Sequence, residues 1–125
     1  MDTVTKPVFV TLKEALEDAI IKEEYKAGEL LISTTAISKV YGVNPATAVR
    51  SVNMLREDGV IYKKRGIGMC VTQDARDIII RRRRNELFTK GIRDMALEAD
   101  KLGITPMELS ERLLSYSVVS QREGV

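Results

Sequence analysis

Phe9, Leu12, Leu16, Ala19 and Ile20 return at steps of three and four, with Lys13, Glu14, Glu17, Asp18 and Lys22 between them. The spacing predicts an amphipathic helix, ended by Tyr25-Lys26-Ala27-Gly28. Leu30-Leu31-Ile32 is too brief an apolar run for a helix and suits a small strand or a buried extended segment. Ser33 can cap a second helix whose Ala36, Ile37 and Val40 face the core. Gly42 then suits a left-handed helix end. Asn44-Pro45 opens a third helix, with an Asx cap and with Pro at the first helical position, where its missing donor costs nothing. Val49, Val52 and Leu55 form the predicted buried stripe of that helix, which stops at Asp58-Gly59.

Two β-rich runs follow, Val60-Ile61-Tyr62 and Met69-Cys70-Val71-Thr72. Between them lie Lys63-Lys64-Arg65 and the glycine pair Gly66 and Gly68 around Ile67, which predicts a hairpin with positive charge at its tip. The order of helix, helix–turn–helix and hairpin defines a winged helix. Asp74 to Asp77 supplies acid at the start of a further helix, running to Leu102 before Gly103 stops it. In it Phe88, Ile92, Met95, Ala99 and Leu102 step by four, three, four, three, a narrow seam suited to packing against another helix. Thr105-Pro106-Met107-Glu108 forms a capping box for a last helix with Leu109, Leu113 and Leu114 inward. The expected fold is therefore mainly α with a small β-hairpin, a winged helix-turn-helix over 1–73 and a C-terminal helical dimerisation tail over 74–125. The seam has two uses: pairing with a second copy, or folding back on the winged helix within one chain.

The composition narrows the chemistry. With 125 residues, 44% hydrophobic, the chain can bury one modest core. A net charge of +2 is too mild to diagnose nucleic-acid binding, so the distribution of the basic residues must decide. One cysteine and no histidine exclude an intramolecular disulfide, a His–Cys dyad and the usual zinc ligand sets. No metal site, cofactor or enzyme activity is expected, since neither Ser33 nor Cys70 has a recognisable activating partner and no Gly-rich phosphate loop follows a strand. Cys70 reads as a buried strand thiol suited to a reducing cytosol. Neither a secretion signal nor a membrane span is evident, so a cytoplasmic protein is expected.

A helix N-terminus and a cationic hairpin presented together suit a DNA duplex. The Asn44 end of the third helix is expected in the major groove, with Ala46 and Ala48 small enough for close approach. Thr47 and Arg50, one turn apart, would meet a phosphate or thymine methyl and a phosphate or guanine edge. Asn44 either contacts DNA or gives its side chain to the cap. Ser33, Thr34 and Thr35 offer hydroxyls and N–H groups to a phosphate. Lys64 and Arg65 would lie along the minor groove or its backbone, with Gly66 and Gly68 permitting the close turn. The run Arg81 to Arg84 points to every side of its helix and has two readings. It is either solvated charge paired with Asp77, Asn85 or Glu86, or a set of contacts flanking the DNA backbone.

The segment from Tyr25 to Val71 resembles the winged-helix domain of GntR-type bacterial transcriptional regulators. Gly28, Leu31, Ser33, Val43, Arg50, Leu55, Gly59, Ile61, Arg65, Gly66, Gly68 and Val71 fall at the family's spacing without a gap. The Asn44-Pro45 start and the short helical tail resemble the YtrA-like branch, whose members lack a separate metabolite-binding domain. The chain departs from the family at Ile32, where Pro is usual, and at Thr35, where a DNA-contacting Arg is usual. It departs again at Ile67, where a polar or basic residue is usual, and at Met69-Cys70. The resemblance implies a homodimeric repressor on a two-fold double-stranded DNA operator, its targets its own operon and neighbouring transporter genes, with the operator sequence and any small-molecule effector unspecified. The competing reading is a winged-helix interaction module for a protein or RNA partner.

Overall fold

The computed structural model describes residues 6–116. Six α-helices and one hairpin follow in the order α1 (Val8–Ile21), α2 (Thr34–Tyr41), α3 (Pro45–Glu57), β1 (Ile61–Lys64), β2 (Gly68–Val71), α4 (Ala75–Glu86), α5 (Ile92–Lys101) and α6 (Pro106–Ser115). A π-helical segment, Leu87–Gly91, lies between α4 and α5. The chain divides into two compact units between Arg83 and Arg84.

In the first unit Leu12, Leu16 and Ile20 of α1 pack with Ile37 of α2, Leu55 of α3 and the strand residues Ile61 and Val71. The strands are antiparallel, with Ile61 opposite Val71 and Lys64 opposite Gly68. Leu31 N–H donates to Met69 O at 2.8 Å and Val71 N–H to Glu29 O at 3.0 Å, so the 29–31 segment forms a short third edge to the hairpin, as its apolar run suggested. Cys70 is buried. Ile79 extends the core onto α4.

Several expectations are corrected here. Helix α1 ends at Ile21, not in the 25–28 run, because Glu23 takes a left-handed φ of 63°. Glu23 N–H then bonds Ile20 O and Glu24 N–H bonds Ala19 O, closing a Schellman turn without glycine. Val40 is 70% exposed and Val49 44% exposed, so neither belongs to the core. Their places are taken on α3 by Ala48 and Ser51, both wholly buried, with Ser51 Oγ donating to Phe9 O at 2.6 Å. Glu17, expected on the polar side of α1, is also wholly buried.

In the second unit the expected unbroken helix to Leu102 is interrupted by the π-helical segment. Thr105 Oγ1 accepts from Glu108 N–H and Thr105 N–H donates to Glu108 Oε1, both at 3.1 Å, completing the expected capping box. Leu109 is half-buried, but Leu113 and Leu114 are exposed rather than inward, Leu114 at 85%. Ala99 is buried, while Phe88, Ile92, Met95 and Leu102 of the seam remain exposed. A groove of about 340 Å³ runs between α5 and α6, lined by Ile92, Met95, Ala99, Leu109 and Leu113.

Candidate nucleic-acid interface

Two helix N-termini are built as their sequences require. Ser33 Oγ accepts from Ala36 N–H at 3.1 Å, and the in-helix acceptors of the Thr34 and Thr35 N–H groups are missing, as at any helix start. Gly42 ends α2 in the left-handed region at φ 64°, and Ser38 Oγ donates to Val43 O at 2.6 Å, fixing the corner. Asn44 Oδ1 accepts from Ala46 N–H at 2.8 Å, so the Asn44 side chain does cap α3. Its Nδ2 donors still point away from that bond, and capping and outward contact are compatible.

Along α3 the outward stripe is Ala46, Val49, Arg50 and Asn53, all exposed at three- and four-residue steps. Thr47 is half-buried. Ala48, expected to ease approach to a groove, instead packs in the core and is unavailable. The Arg50 guanidinium sits 3.7 Å from the centroid of the Phe9 ring, a cation–π stack that holds the charge at the α1–α3 edge. The sequence reading places Val49 in the core and does not single out Asn53. The signal was present in the three-four spacing with Ala46, but an apolar Val on a helix reads first as core.

The hairpin tip closes with Ile67 N–H donating to Lys64 O at 3.0 Å, and Gly66 takes φ 78°. Lys63, Lys64 and Arg65 are all exposed. Ser33 and Thr34 at the start of α2 and Gly68 of the hairpin, all expected site residues, border one recess together with Ile67.

Two members of the arginine run, Arg82 and Arg83, are paired with other elements. Arg82 Nη2 donates to Glu17 Oε2 at 2.7 Å and Nη1 to Asp58 Oδ2 at 3.2 Å. Arg83 donates to Glu17 Oε1 at 2.9 Å, to Asp18 Oδ1 at 2.6 Å and to Glu14 O at 3.0 Å. Lys13 adds a 2.7 Å pair with Asp58. Burial works against the Arg83 cation, but its hydrogen bonds to Asp18 and Glu17, with their charges, outweigh that and raise its pKa above the ordinary guanidinium value. These partners lie on α1 and at the end of α3, on elements other than the run's own helix.

Among the described residues no cluster of His, Cys, Asp and Glu side chains is arranged to hold a metal, and no helix is long and apolar enough to cross a membrane. The geometry defines a winged helix with a cationic wing.

Comparison with known proteins places that fold. No family model matches the chain. Its structural neighbours include GntR-family transcriptional regulators, and its winged-helix fold is theirs. One from Listeria monocytogenes is 26% identical, with a TM-score of 0.72 over 93% of this chain and 100% of that one. The uncharacterized HTH-type transcriptional regulator YhcF of Bacillus subtilis (strain 168) is 20% identical over 113 residues, 90% of this chain and 92% of that protein. BusR of S. agalactiae, solved in complex with its busAB-promoter DNA, shares the fold at 18% identity and a TM-score of 0.55, over 92% of this chain and 60% of that one. These neighbours are transcription factors, not enzymes.

Proposed function

We propose that the chain is a DNA-binding transcriptional regulator of the GntR type, working in the cytoplasm as a homodimeric repressor at a two-fold operator. The observation that carries this reading is the recess shared by the start of α2 and the tip of the cationic hairpin, on the unit whose α3 presents an exposed stripe. A phosphate at the start of α2 would meet the Thr34 and Thr35 N–H groups, and the exposed Lys63, Lys64 and Arg65 of the hairpin offer charge to further phosphates. In this reading α3 enters the major groove. Arg50 and Asn53 reach base edges or phosphate, Val49 meets thymine methyls, and the Asn44 amide donates to the backbone. Lys64 and Arg65 follow the adjacent minor groove.

Dimerisation through the tail is supported by the exposed apolar side chains Ile92, Met95 and Leu113 along the α5–α6 groove, a seam left uncovered among the described residues of that unit. Domains of 1–73 for binding and 74–125 for pairing remain the proposed division of labour, with Arg82 and Arg83 of the pairing segment tied to α1. The test is a mobility-shift titration of the full chain on DNA from upstream of its own gene. A saturable shift that resists excess random DNA, and that weakens with Arg50→Ala, is expected. Equal retention of random and upstream DNA would refute sequence-specific regulation.

A further inference from the structure

The wing tip carries an apolar side chain where charge would be the simpler solution. Ile67 is 56% exposed at the apex of the hairpin, one residue after the basic run Lys63, Lys64 and Arg65. A lone exposed isoleucine is ordinary on a protein surface, but this one stands at the turn of a cationic hairpin. Its N–H is fixed to Lys64 O, and it stands between Gly66 at φ 78° and Gly68 at φ 135°. At Gly68 a Cβ would come within 3.1 Å of Leu30 Cδ1, so Leu30 packs directly against the returning strand. Leu30 bridges Cys70, and the bonds from Leu31 and Val71 make the base of the hairpin three strands wide. The wing is therefore a stiff support with a branched apolar point and cations behind it.

Resting on the DNA-binding reading above, we propose that Ile67 is a specificity-determining wedge. The cations anchor the wing on the phosphates that border a minor groove, and the isoleucine enters between two base pairs and partly unstacks them. Apolar side chains inserted in this way carry no hydrogen-bond code. Their selectivity comes from the cost of opening the step, lowest for pyrimidine–purine steps such as TA and CA and higher for stiff A-tracts and G·C-rich steps. Ile67 thus reads deformability beside the sequence that α3 reads by contact.

The test selects duplexes from a random-sequence pool with the full chain, the wild type in parallel with Ile67→Ala and Ile67→Leu. The wild type and Ile67→Leu should enrich a core together with flexible steps at a fixed distance outside it. Ile67→Ala should enrich the same core with the flanking preference gone. On paired probes differing only at that step, the wild type should favour TA over a G·C step about tenfold, and Ile67→Ala less than about twofold. A 2-aminopurine placed in the TA step should brighten when the wild type binds and stay dark with Ile67→Ala. A flanking preference unchanged by Ile67→Ala, or a wild-type core with no flanking preference, would overturn the wedge while leaving DNA binding intact. No enriched core at all would overturn the DNA-binding reading and the wedge with it.

Discussion

The Glu17 carboxylate on α1 is wholly withdrawn from solvent and accepts a 2.9 Å hydrogen bond from Arg83 on α4, sixty-six residues further along the chain. Its other oxygen accepts from Arg82 at 2.7 Å. A buried carboxylate without partners would be strongly destabilising, so this contact is a condition for α1 and the stretch of α4 up to Arg83 to pack as they do. Glu17→Gln is expected to lower the unfolding free energy by about 2–4 kcal/mol, toward the lower side of a buried-pair deletion because both guanidinium groups keep some contact with water. Denaturant titration of the full chain measures it, and a loss below about 0.5 kcal/mol would mean the pair contributes nothing beyond its own desolvation.

Arg50 stacks on Phe9, and the stack sets where its charge is offered. Arg50→Ala should weaken binding to a specific site by roughly 1–3 kcal/mol if it reads a base. Phe9→Leu, which keeps apolar volume but removes the ring, should weaken specific binding by a smaller amount of the same sign. Fluorescence anisotropy on specific and random duplexes separates the cases, since equal losses on both reassign Arg50 to phosphate.

Asn44 combines a cap and an outward amide, and two substitutions pull these apart. Asn44→Asp keeps an acceptor for Ala46 N–H and should leave thermal stability nearly unchanged, yet its negative charge should repel DNA. Asn44→Ala should cost about 1 kcal/mol of stability. Equal DNA affinity for wild type and Asn44→Asp would place this side chain away from the phosphates.

Met95 lines the apolar groove of the second unit and is half-exposed. Met95→Arg should convert a dimer to a monomer in sedimentation equilibrium at micromolar concentration, with little change in the melting of the winged helix. A wild type that sediments as a monomer even with DNA present would contradict the pairing role.

Much of this architecture was legible in the sequence because its signals are local. Leu12, Leu16, Ile37 and Leu55 announce themselves by spacing, and Gly42, Asn44-Pro45 and Thr105 to Glu108 by the backbone groups that helix ends leave unsatisfied. What was not legible depended on partners distant in sequence. Glu17 looked like a surface residue of an amphipathic helix because Arg82 and Arg83 lie on another element. Val40 and Val49 looked like core because periodicity records which residues are apolar, not whether the face they occupy is covered. Ala48 was assigned outward by its small size, though small size equally suits close packing of α3 against the core. The π-helical segment at Leu87–Gly91 carries Gly91 as its one local signal, and a single glycine within a helical pattern reads as tolerated rather than as a break.

The measurement that bears most directly on the interface is a hydroxyl-radical footprint of the full chain on a selected operator. The expected pattern is two equivalent half-sites, each protected on the backbone flanking one major groove and across the neighbouring minor groove. Lys64→Ala with Arg65→Ala should remove the minor-groove protection alone, leaving the rest in place. Uniform protection without a two-fold pattern, or a footprint indifferent to both α3 and wing substitutions, would contradict it.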